Sequence, residues 1–228
     1  MGHKRLQSEI DEFKYQGEKT PLSFGTLVIL AFCFLLMILS TFTEIDLVRV
    51  YTTGNGGFLV NKFIYVAQIP VFIFTVALLG VRFSVFAMVL YLILGLFGWR
   101  IFAYGGGIGY LKYCAFGYLL GFIPCAFVTG ILKKKLADKW YDNLLAVLGG
   151  VFSIYLTGFL YSLILLAFHQ IDLRLLVAET MFPSKTKLLY DIIFSILAMY
   201  LADPVKNVLW VAMKNPMIRK IKKKKENS

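Results

Sequence analysis

The chain has 228 residues, 59% of them hydrophobic and 16% charged, with 24 Lys and Arg against 13 Asp and Glu. A soluble domain of this size has too little interior to bury so much apolar side chain, so the composition excludes an ordinary globular protein and predicts an integral membrane protein. The formal charge of +11 would suit nucleic acid, but the cations stand at the edges of apolar runs, where membrane orientation accounts for them and no nucleic-acid partner is expected.

Residues 1–21 mix charges of both signs and are expected to form a cytoplasmic tail. Glu9, Asp11, Glu12 and Glu18 argue against a secretory signal, which has a basic start and a cleavage site of small residues, so the first apolar run is expected to remain as an anchor. A bilayer core of about 30 Å takes about 20 helical residues. Runs at 24–42, 63–81, 83–99, 113–132 and 144–168 meet or approach that length. The second contains Gln68 and Pro70. A sixth run at 188–201 carries Asp191 and reaches spanning length only by extending through Asp203, Pro204 and Lys206 toward Met213. The expected fold is therefore all-α, with six transmembrane helices in residues 22–213 and a basic cytoplasmic tail in residues 214–228. Cys33, Cys114 and Cys125 lie in or beside apolar runs without CxxC spacing and read as small core residues.

With six spans and a cytoplasmic amino terminus, 17 of the 24 cations fall inside, among them Arg82, Lys133, Lys134, Lys135, Lys139 and Lys206. Both termini are then cytoplasmic. Residues 105–124, GGGIGYLKYCAFGYLLGFIP, open the outer segment between the third and fourth spans. Gly105, Gly106 and Gly107 in succession break a regular helix and let backbone lie close to a neighbour.

No Walker A loop, HExxH helix, GxSxG elbow or GxGD segment occurs in the sequence, so neither ATP hydrolysis nor catalysis has a visible apparatus. Binding without catalysis remains. The stretch from Tyr104 to Tyr118 offers aromatic walls in Tyr104, Tyr110, Tyr113, Phe116 and Tyr118, with Lys112 and Arg100 to neutralise an anionic group. The same residues also suit an interfacial aromatic belt with snorkelling cations. Asp191 and Gln68, polar groups within spans, leave a stand-alone ion-coupled carrier of a small organic anion or another vitamin open as the alternative.

The sequences YVAQIPVFIF, LLGVRFSVFAMVLYLILGLFGWRIFAYGGGIGY and FGYLLGFIP, covering roughly residues 63–130 with a weaker echo at 180–212, resemble the BioY family, the biotin-binding S components of energy-coupling-factor (ECF) transporters. The resemblance implies six helices around a pocket open to the outside. It also implies a bacterial-type cell membrane, biotin as the transported ligand with no cofactor, and a partner ECF transmembrane subunit with two ATP-binding subunits.

On that resemblance the backbone of Gly105, Gly106 and Gly107 approaches the ligand, Tyr91, Tyr110 and Tyr118 pack its bicycle, and Asp191 accepts from its ureido N–H groups. Lys112 or Arg100 pairs the carboxylate. Many members read GPTGGY where this chain has YCAFGY, so there Gly117 and Tyr118 carry over. A second pattern, PGDxxK, places Phe194 at the lysine if Asp191 is the aspartate. Either another cation replaces that lysine or the substrate differs in its tail.

Overall fold

The computed structural model describes residues 24–52, 58–136, 141–177, 187–206 and 208. The expected tails at 1–21 and 214–228, and Lys139 and Lys185, lie outside the described residues. Helix α1 is Phe24–Phe42; strands β1 (Glu44–Thr52) and β2 (Phe58–Val66) follow, and then helix α2, Gln68–Leu96. A short 3-10 helix at Ile108–Lys112 leads into α3 (Cys114–Lys135), α4 (Asp142–Ala167), the single turn α5 (Leu173–Leu176) and α6, Lys187–Lys206.

Although α2 is continuous in sequence, it is folded double. Gly80 has φ 77° and ψ 174°, a left-handed backbone that side chains disfavour. Gln68 Nε2 at one end donates to Tyr91 Oη near the other at 3.3 Å. A straight helix would hold these residues about 34 Å apart at about 1.5 Å per residue. The two arms therefore run antiparallel, and the Ser84 hydroxyl secures the reversal by reaching the Thr75 carbonyl at 3.1 Å and the Gly80 carbonyl at 2.8 Å. Counted this way, the described residues contain six apolar helical segments, as the hydropathy predicts.

The second expected span, 63–81, is corrected at its start. Residues 63–66 belong to β2, which pairs antiparallel with β1 from Glu44↔Val66 to Thr52↔Phe58. The helix begins only at Gln68, where Pro70 falls in the first turn and its missing N–H breaks no helical bond. This hairpin adds to the helical bundle a β element that hydropathy alone does not suggest. At the other end of the chain, α6 continues through Asp203 and Pro204 to Lys206, as its length requires.

Helices α3 and α4 form the closest pair. A Cβ on Gly121 would press on the Ile154 backbone, one on Gly117 would overlap Tyr161, and one on Gly158 would meet the Tyr118 ring at 2.8 Å. Small residues of this kind let helices approach where lipid supplies no hydrophobic drive between them. Around the core, Cys33 and Met37 of α1 face inward while Val28, Phe32, Leu35 and Leu39 are exposed. So large an apolar exterior is stable only against lipid tails, and the chain is a multi-pass membrane protein. The three cysteines are buried and free.

The alternation of segments sorts the loops into two ends. At one end stand Arg82, the lysines 133–135 and Asp142; Gly130 packs on Val81 there, and Lys133 pairs with Asp203 at 3.6 Å. At the opposite end stand the hairpin, the 97–113 segment, α5 and the start of α6.

Candidate functional site

Asp191 lies one turn into α6 and is fully buried. An isolated carboxylate there would be prohibitively costly. Two tyrosines make it tolerable: Tyr65 donates to Oδ1 at 2.8 Å, and Tyr155 donates to Oδ2 at 2.6 Å. Tyr65 is the penultimate residue of β2 and Tyr155 comes from the middle of α4, so three separate elements meet at this acid. Burial and the neighbouring negative charge of Asp191 hold the Tyr65 phenol protonated, well above its ordinary range. A carboxylate has room for about four hydrogen bonds. Each oxygen thus retains acceptor capacity after the tyrosines are served.

Aromatic rings wall this acid. Tyr118 meets Tyr155 edge-on at 5.7 Å, while Phe194 lies 5.5 Å from Tyr65 and stacks with Tyr190 at 6.2 Å. Gly117 precedes Tyr118 on α3 and abuts Tyr161 across the helix contact. The structure therefore gathers Tyr118 and Asp191 into one neighbourhood through Tyr155, while Gly117 packs against Tyr161, which bonds to the Leu111 carbonyl.

The remaining predicted residues form a second group. Tyr91 is fully buried, and its hydroxyl donates to the Ile101 carbonyl at 2.7 Å while lying 3.0 Å from Thr41 Oγ1. With Gln68 as a further donor, this node ties α1, both arms of α2 and the 97–113 segment together. Phe102 packs at a tilt between Tyr91 and Tyr110, at 5.4 Å and 4.6 Å.

The glycine run closes the same segment. Gly105 pairs with Phe102 as an isolated bridge, Gly107 N–H donates to the Gly95 carbonyl at 2.7 Å, and a Cβ on Gly106 would overlap the Trp99 carbonyl oxygen. Its close backbone approach is to the chain itself. Lys112 and Arg100 are both exposed. The cation nearest Asp191 in the chain is instead Lys187, one turn earlier on the same helix and half-buried.

Residues 18–210 match the BioY family. The chain belongs to the BioY family. Its sequence is 35% identical over 107 residues to the biotin transporter BioY of Thermotoga maritima, an alignment that covers 46% of this chain and 60% of that protein. Its fold is similar to the 2.1 Å crystal structure of the S-component for biotin from an ECF-type ABC transporter, with a TM-score of 0.58. That likeness, at 19% identity, covers 80% of this chain and 90% of the other. BioY membership also accounts for the six-segment bundle, whose second and third segments are the arms of α2.

Sequence reasoning missed Tyr65 and Tyr155, and with them Lys187. Tyrosines in apolar runs are common enough to give no signal singly, and the only clue was that a buried acid must find donors. Among the described residues no group of three His, Cys, Asp or Glu is placed to hold a metal.

Proposed function

We propose that this protein is the substrate-capturing membrane subunit of a biotin uptake system, taking biotin from outside the cell while partner subunits supply ATP hydrolysis. The observation that carries this reading is the buried Asp191 carboxylate, held by Tyr65 and Tyr155 yet with lone pairs remaining, inside an aromatic enclosure. A ureido ring presents N–H donors to such an acceptor, and its fused thioether ring suits the aromatic walls. The names of the Thermotoga relative and of the similar S-component point to the same ligand. On this reading the protein sits in a bacterial-type cell membrane with its lysine-rich end and both termini in the cytoplasm. It acts as a binding subunit and not as an enzyme, beside an ECF transmembrane subunit and two ATP-binding subunits.

Calorimetry on the purified protein tests the substrate: biotin should bind in a 1:1 ratio. Heat with another vitamin but none with biotin would remove biotin and leave the fold and family intact. Reconstitution tests the energy source. Vesicles holding this protein without ATPase partners should bind biotin but not concentrate it; sustained uphill uptake set by a proton or sodium gradient would favour an ion-coupled carrier instead.

A further inference from the structure

Three polar residues of α6 recur at four-residue intervals: Lys187, Asp191 and Ser195. That spacing stacks them on one helix face at a rise of about 6 Å per step. Asp191 and Ser195 are fully buried and Lys187 is half-buried, so this face turns into the bundle.

Ser195 is unusual among its kind. Thr75 folds back on the Val71 carbonyl of its own helix, Ser84 on that of Gly80, Thr157 on that of Ser153 and Ser162 on that of Gly158, while Thr129 reaches across to the Ala146 carbonyl of α4 at 3.3 Å. The Ser195 hydroxyl does neither. It finds no hydrogen-bond partner among the described residues despite complete burial. A buried hydroxyl left this way costs about 1–3 kcal/mol relative to a bonded one, which a ligand acceptor would recover.

Asp191 is served by the two tyrosines, and no salt bridge or hydrogen bond joins it to Lys187 among the described residues. The Lys187 ammonium has three donors to offer an anionic acceptor.

We infer that Lys187, Asp191 and Ser195 form one ligand-binding column, in which Lys187 holds the anionic tail of the ligand and Ser195 the carbonyl of its ring. This assignment rests on the biotin reading above and adds an orientation to it. The ring enters first, its carbonyl accepting from Ser195 and its N–H groups donating to Asp191. The carboxylate trails toward the hairpin end. Helical side chains lean toward the helix amino terminus, so the lysine stem carries its charge farther from Asp191 than the 6 Å rise alone, which suits a tail of several methylenes. Arg100 and Lys112, exposed on the 97–113 segment, are not required for the clamp.

Equilibrium binding of biotin and of biotin methyl ester to the purified full chain separates the roles. The unmodified protein should prefer biotin by about tenfold or more, the scale of one charge-assisted hydrogen bond. Lys187→Met should abolish the preference by lowering biotin affinity far more than ester affinity, and the ester binding that persists shows that the variant is folded; Lys187→Arg should restore the preference. Ser195→Ala should weaken both ligands by a similar factor, while the thermal midpoint of the ligand-free protein stays level or rises, because an unpaired buried hydroxyl is removed. A Lys187→Met protein that still prefers biotin, or a Ser195→Ala protein with both affinities intact, would overturn the column. Binding of neither ligand by the unmodified protein would bring down the biotin reading itself, and the column with it.

Discussion

Tyr155→Phe removes a single oxygen from the environment of Asp191. The ring stays, and with it the edge-on contact to Tyr118 at 5.7 Å. What disappears is the 2.6 Å donor to Oδ2, leaving a fully buried carboxylate with the Tyr65 bond alone. Hydrogen bonds to charged groups contribute about 1.5–3 kcal/mol, so the folding equilibrium should fall by roughly 10- to 150-fold. Reversible unfolding in detergent micelles measures this directly. A double-mutant cycle with Asp191→Asn isolates the bond from other effects of either change. Coupling of about 1.5 kcal/mol or more is expected for so close a charged pair, whereas independent sites add to within about 0.5 kcal/mol. Additive behaviour in that cycle would refute the claim that tyrosine donors are what allow an acid to reside in this bundle.

Tyr91→Phe should cost about 1–3 kcal/mol by stranding the buried Ile101 carbonyl. Amide exchange in residues 97–113 should quicken while that in α4 stays unchanged, and an unaltered segment would show that the Tyr91 node does not fasten it. Gly80→Ala should destabilise by about 1–2 kcal/mol through its left-handed backbone alone, because a Cβ there meets no atom within 4 Å. Stabilisation in a thermal scan, the usual result of Gly→Ala in an unstrained helix, would contradict the reversal at Gly80.

Hydropathy made the six segments legible because a bilayer imposes a length that few other pressures imitate. It failed locally where strand and helix are equally apolar. FLVNKFIYV in β2 merges with the run that follows, and only the polar-apolar alternation from Glu44 to Leu47, with the Gly54-Asn55-Gly56-Gly57 turn signal, marks a hairpin. Asp191 was conspicuous because an acid among apolar residues demands a reason. Its donors were not, since Tyr65 and Tyr155 lie 126 and 36 residues away and look like ordinary aromatic content. In the sequence Lys187 is one more cation beside an apolar run and Ser195 one of many helix hydroxyls; only coordinates distinguish a hydroxyl that folds back on its helix from one that does not. Of the aromatic and glycine run, residues 105–113 do lie between helices, whereas residues 114–124 form the first half of α3, and much of the chemistry of the former serves to fold residues 97–113 against α2.

The bond between Tyr65 and Asp191 joins positions 126 residues apart. At a synthesis rate of about 5–20 residues per second, the tyrosine exists for roughly 6–25 s before its acceptor has been made. The enclosure is therefore complete only once α6 has been made and inserted. A nascent or truncated chain ending before α6 has most of its lipid-facing surface and no acid at its centre, so on the proposed function insertion of α6 is the step that confers ligand capture.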